Sequence, residues 1–234
     1  MLWYKGWLET RFRLLFTLGF TTFMLVQHHL FQTAAPRDAK SAAFGMLMSL
    51  GPAVVLVTCA LLGGAGIVTQ SPLQAKKGLH GSTLFTLSLP VSRLRLLAVR
   101  ASVGWLEAVG VIAALCCGTW LVSPMFRASV TPLEVFEHAG TLIACASALY
   151  CLSVLLATFL DDQWRVWGTM IAAAALWWLS SHTPLPASAN IFRAMREGSP
   201  LIAHTVPWAA VAFSLGLAAL LFFAALKVVQ TREY

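Results

Sequence analysis

Only 11% of the 234 residues are charged, so each ionisable group inside an apolar run is a candidate for chemistry. Glu107 is the sharpest. It lies about eleven residues into the run Leu96–Val122, roughly 16 Å along a helix and near the mid-plane of a hydrocarbon core about 30 Å thick. A carboxyl there is costly and faces a bundle interior or a cavity. It reads as a translocation-pathway or switch residue, or, the favoured alternative, as a protonated or hydrogen-bonded carboxyl joining helices or a dimer. Arg100 lies on a similar face two turns away, too far for a simple salt bridge. Asp161 and Asp162 stand just before Arg165. Paired carboxylates suggest acid–base work or a metal, but helix termination and pairing with Arg165 are the simpler reading.

Histidines and cysteines offer weaker chemistry. His28, His29, His138, His182 and His204 fall toward one expected face and His80 toward the other. Imidazoles on one face suit a transition metal or haem, yet no pair has tight ligand spacing, so no metal is expected. Cys59, Cys116, Cys117, Cys145 and Cys151 all lie in apolar runs without a C-x-x-C pair, which points to buried free thiols.

These groups must be positioned by elements that live in lipid. The chain is 59% hydrophobic, with mean hydropathy +0.77, and so little charge cannot cover a water-soluble globule. The net charge of +7 is spread in short clusters between apolar runs, not along one solvated face, so nucleic acid is not an expected partner. The first residues, "MLWYKGWLETRFRLLF", mix Trp, Lys, Glu and Arg and do not resemble a cleavable signal peptide.

Six runs are long enough to span a bilayer: Leu14–Phe31, Ala43–Val68, Leu96–Val122, Ala139–Leu160, Trp164–Ser180 and Val206–Leu226. The expected fold is an all-α polytopic membrane protein, one permease-like domain over residues 1–234. Continuous apolar runs without in–out alternation favour helices over a barrel. With the N-terminus in the cytoplasm, Lys5, Arg11, Arg13, Lys76, Lys77, Arg93, Arg95, Arg100, Arg165, Lys227 and Arg232 fall inside. Arg37, Lys40, Arg127, Arg193 and Arg196 then fall outside. That imbalance places both termini in the cytoplasm. Trp3, Trp7, Trp164 and Trp167 then mark the inner boundary, and Trp120, Trp177, Trp178 and Trp208 the outer one.

Shorter segments complete the layout. Residues 1–12 read as an interfacial helix, with Trp3 and Trp7 on one face, before the chain turns into the bilayer. Residues 181–205 read as short outer helices, with Ile191, Phe192 and Met195 on one side. Gly140, Ala144 and Ala148 form a small-residue stripe for close helix packing, or for a dimer interface. Gly63, Gly64 and Gly66 read as packing glycines inside the second span. No Lys-Ser/Thr pair follows them, and the chain carries no G-x-x-x-x-G-K-[ST] phosphate loop.

The inner loop 69–95 is the longest cytoplasmic segment. Ser82 can cap a short apolar helix with Leu84 and Leu87 on one side; Pro90 stops it, and Ser92 can cap the third span. Arg93, Arg95 and Arg100 then form a basic collar where that span enters the membrane, able to snorkel to inner-leaflet phosphates. The stretch "GSTLFTLSLPVSRLRLLAVRA" (81–101) resembles the cytoplasmic loop of ABC transporter permeases of the type-2 exporter family. Its Gly-Ser-Thr-Leu start, "LSLPVSR" core and "RLLAVR" continuation carry that likeness, and the six-span layout matches it. Where family members often carry acids just before the motif, this chain has Lys76, Lys77 and His80.

The resemblance implies a membrane subunit of an ATP-driven exporter that moves an unidentified substrate from the cytoplasm or inner leaflet. It implies that Ser82, Thr83, Leu84, Phe85, Leu87, Pro90 and Arg93 form a coupling helix seated in a separate ATP-binding subunit. ATP and Mg would be bound by that partner and no cofactor by this chain. A second permease copy, identical or related, and membrane lipids are the other implied partners. The implied location is a bacterial inner (cell) membrane. The chain itself would not be an enzyme. Two rivals are a membrane-embedded enzyme using Glu107 or Asp161/Asp162, and a non-transporting anchor subunit.

Overall fold

A computed structural model describes residues 2–34, 40–64, 92–182 and 189–231; the segment with residues 82–90 of the predicted coupling helix lies outside them. The described residues are all helix and turn. They form α1 (Leu2–Ala34), α2 (Lys40–Leu62), α3 (Arg93–Val122), α4 (Pro124–Ser129), α5 (Pro132–Leu156), α6 (Asp162–His182), α7 (Ile191–Met195), α8 (Pro200–Ala203) and α9 (Trp208–Thr231).

Caps in the sequence set several of these boundaries. Ser92 caps α3, its hydroxyl accepting from the Arg95 N–H at 3.3 Å. Thr131 and Glu134 form a reciprocal capping box that opens α5 with Pro132 at its first position. The expected span Ala139–Leu160 is therefore displaced. The helix begins at the cap, not where apolar residues begin, and ends at Leu156 in a turn held by i→i+3 bonds from Thr158 and Phe159. Pro52 lies within α2 without ending it.

α5 is the central element. In its most apolar stretch 61% of residues are buried, against 33% for α3 and 22% for α9. Val55, Cys59 and Leu62 of α2, Ile112 of α3, and Leu142, Cys145, Leu149 and Val154 of α5 share one core. α9 lays a small-residue face, Ala210, Ser214, Ala218 and Ala225, on that core. The Ser214 hydroxyl reaches the carbonyls of Ala144 (2.9 Å) and Cys145 (3.2 Å) on α5. Ala144 of the small-residue stripe thus serves packing within the chain. A side chain at Gly140 would meet nothing within 4 Å.

The outside of the bundle is apolar. Phe12, Leu15 and Phe16 on α1, Trp164, Trp167 and Ile171 on α6, and Leu220 and Phe223 on α9 are all exposed, which is the surface of a protein whose solvent is lipid. Three helices among the described residues are long and apolar enough to cross a membrane: Leu94–Val122, Pro132–Leu156 and Trp208–Thr231. A shorter apolar helix covers Leu50–Leu62. The chain is a helical protein of membrane type.

Two expectations for the first half change. α1 is unbroken from Leu2 to Ala34, so residues 1–12 do not turn off from the first span; Glu9 to Arg13 offer no proline to break it. The expected span Ala43–Val68 stops at Leu62, and Gly64 sits in the left-handed region at φ 71°. Gly63 and Gly64 end the helix where they were expected to lie inside it. They still permit close approach, since a Cβ on Gly63 would come 2.6 Å from Ser153 Cβ.

Candidate functional site

The C-terminus of α2 is where ionisable side chains converge. A helix leaves its last carbonyls without intrahelical donors and carries negative partial charge there. Gly63 N–H donates to Cys59 O at 2.9 Å. Arg165 of α6 donates through Nη1 to Ala60 O (3.0 Å) and through Nη2 to Leu61 O (3.3 Å). Arg13 of α1 donates through Nη1 to the same Leu61 O at 3.1 Å. Ser153 of α5 accepts from Arg165 Nη1 at 3.1 Å and donates its hydroxyl hydrogen to Gly63 O at 3.0 Å. Four helices are joined at one helix end.

Asp162 locks the two arginines together. One carboxylate oxygen accepts from Arg165 Nη2 at 2.9 Å and the other pairs with Arg13 Nη2. Burial works against the Asp162 charge, but the Arg13 hydrogen bond and the two guanidinium charges outweigh it and hold the carboxyl below the usual carboxylate range. Arg165 is fully buried, with its Nε unpartnered among the described residues. The expected Asp162–Arg165 pair is present, and the two neighbouring carboxylates are set apart. Asp161 is exposed, and its backbone carbonyl takes the Arg165 N–H at 2.7 Å.

Glu107 stands one helix away. Its Oε1 is 2.6 Å from Thr10 Oγ1 on α1, and its Oε2 is buried without a partner among the described residues. α1 and α3 run parallel in a constant register: Gly6 faces Val103, Thr10 meets Glu107, and Leu14 and Leu18 pack on Val111 and Leu115. A mid-plane Glu107 and an interfacial segment 1–12 therefore exclude each other, because residue 10 of that segment touches the carboxyl. Gly104, one turn before Glu107, is pressed against Leu62 O and the Tyr150 hydroxyl. That places Glu107, at the middle of α3, close to the level of the α2 terminus.

The arginine collar divides. Arg95 is exposed and Arg100 buried; five residues apart on a helix means about 140° around it, so they cannot share a face. Arg93 opens α3. Ser82, Thr83, Leu84, Phe85, Leu87 and Pro90 lie outside the described residues. Of the histidines, His138 is buried with Nδ1 2.8 Å from Ser199 Oγ, His204 pairs with Glu134 at 2.9 Å, and His182 stacks on Trp178. Among the described residues no three metal-ligating side chains come together.

Arg13 and Thr10 are the functional candidates that the residue pattern alone misses. A basic residue near the start of an apolar helix reads as an orientation signal, and only the packing shows which carbonyl it meets. No family model, curated protein or solved structure matches the chain.

Proposed function

We propose that this chain is the membrane subunit of an ATP-driven exporter of the type-2 ABC class, with six spans formed by α1, α2, α3, α5, α6 and α9. A separate ATP-binding subunit, which holds ATP and Mg, would dock on the segment with residues 82–90. A second permease copy would complete the path, and both termini would face the cytoplasm of a cell-membrane protein. The parallel course of α1 and α3 fits spans one and three crossing in the same direction.

The observation that carries the reading is the anchoring of the 65–91 segment at both ends. The α2 terminus before it is held by Arg13, Arg165 and Ser153. After it Ser92 caps α3, just ahead of buried Leu96 and Leu97. Tyr150 of α5 holds α3 beside the end of α2, its hydroxyl donating to Ala101 O at 2.7 Å near Leu62. A push delivered at the α2 terminus and the start of α3 would reach α1, α3, α5 and α6 together. The division of Asp161 from Asp162 weighs against a membrane enzyme built on that pair.

The test is purification of the tagged full chain from its native membrane, followed by an ATP-hydrolysis assay. The expected result is an associated ATPase that is lost when Leu84, Phe85 and Leu87 are all changed to Ser. ATPase association that survives the triple change would contradict docking at this segment.

A further inference from the structure

At the end of the bundle away from the arginine clamp lies α8, a helix of four residues fastened to α5 at both of its own ends. At its start Ser199 Oγ accepts the Leu201 N–H at 3.2 Å and lies 2.8 Å from His138 Nδ1. The hydroxyl and the imidazole share one hydrogen bond, its direction set by the imidazole tautomer. At its end His204 Nδ1 lies 2.9 Å from Glu134 Oε1. Glu134 and His138 are four residues apart and so neighbours on α5. His204 is the one non-glycine residue at positive φ (52°) among the described residues, a costly backbone state that persists where the surroundings impose it.

Under α8 is a cavity of about 20 Å³, room for one water. Its walls come from the long helices α2, α3 and α5, from α4, and from α8 through Leu201 alone. Cys116 and Thr119 of α3 and His138 of α5 line it. α4 is tied back to α3 by its own caps and by Trp120 Nε1, which donates to Val130 O at 3.3 Å. Among the described residues α8 is held by the two side-chain contacts to α5 and by its buried Pro200 and Leu201, so it is the wall that can leave without unpacking a long helix.

We propose that α8 is a lid held by two side-chain latches, Ser199–His138 and His204–Glu134, and that releasing them opens the cavity and the Cys116 thiol to water. The lid stands on this geometry alone; naming it the outer gate of a transport path rests on the exporter reading. Cys116 is a built-in reporter, buried at 6% exposure and lining the space α8 covers.

The experiment uses the full chain in lipid nanodiscs with Cys59, Cys117, Cys145 and Cys151 replaced by Ala, and follows Cys116 labelling by a small charged methanethiosulfonate. Ser199→Ala with Glu134→Gln should speed labelling at least tenfold. Ser199→Thr, which keeps the hydroxyl, should leave the rate unchanged. His204→Gly, which keeps the backbone state and removes the imidazole, should speed it at least threefold. A matched chain that keeps only Cys145, buried in the same core away from the cavity, should stay unlabelled throughout. Unchanged Cys116 labelling in the double variant, or an equal rise at Cys145, would overturn the lid. No ATPase is present in this assay, so its result is independent of the docking test above.

Discussion

Arg165 donates from Nη1 to the carbonyl oxygen of Ala60 at 3.0 Å although 105 residues separate them. The contact makes a buried guanidinium the cap of another helix. Its planar fork serves Ala60, Leu61, Ser153 and Asp162 together, which a single ammonium cannot do. Arg165→Lys should cost about 2 kcal/mol, the worth of a charged hydrogen bond. Arg165→Met, which strands the carbonyls and Asp162, should cost about 3–5 kcal/mol. Denaturant titration of the purified protein in mild detergent, followed by helical circular dichroism, reads both.

Asp162 gives the clamp a pH dependence of defined sign. Its folded pKa lies below its unfolded value of about 3.9. Its stabilisation is therefore complete above that unfolded value and is lost as pH falls through the folded pKa. Asp162→Asn should lower the melting temperature at pH 7, and the gap to wild type should shrink as pH falls from about 4 downward. A gap that stays constant down to the lowest pH at which both proteins fold would show that the charge contributes nothing.

The Thr10–Glu107 contact predicts energetic coupling between α1 and α3. Thr10→Val and Glu107→Leu, singly and together, should give a coupling energy of about 1–2 kcal/mol in a double-mutant cycle. A coupling within about 0.3 kcal/mol of zero would mean the two side chains act independently.

Much of this was legible in the residues, and the remainder was not for physical reasons. Ser92 and the Thr131–Glu134 box announce helix starts because capping is local chemistry. The Asp162–Arg165 pair is legible because three residues span one helical turn. Arg13 meeting Leu61, or His138 meeting Ser199, depends on which faces of separate helices pack, and apolar runs that read alike from all sides do not encode that. Counting hydropathy also misplaced the ends of α2 and α5, since Gly64 and Thr131 end and start helices at positions where the apolar content does not change.

Glycines separate tight from open packing. Gly64→Ala forces an unfavourable φ of 71° and drives a methyl onto Ala157, and should cost about 2–3 kcal/mol. Gly110 faces open space on α3, so Gly110→Ala should be neutral or stabilise by up to about 1 kcal/mol through helix propensity. The same denaturant titration compares them.

The central claim is that the segment between α2 and α3 is a docking point for an ATP-hydrolysing partner. A photocrosslinking amino acid at position 85, in place of Phe85, tests it most directly in native membranes. The account predicts an adduct with a polypeptide that binds ATP, formed in wild-type background and lost with Leu84→Ser and Leu87→Ser. Adducts with phospholipid alone, with and without ATP, would contradict it.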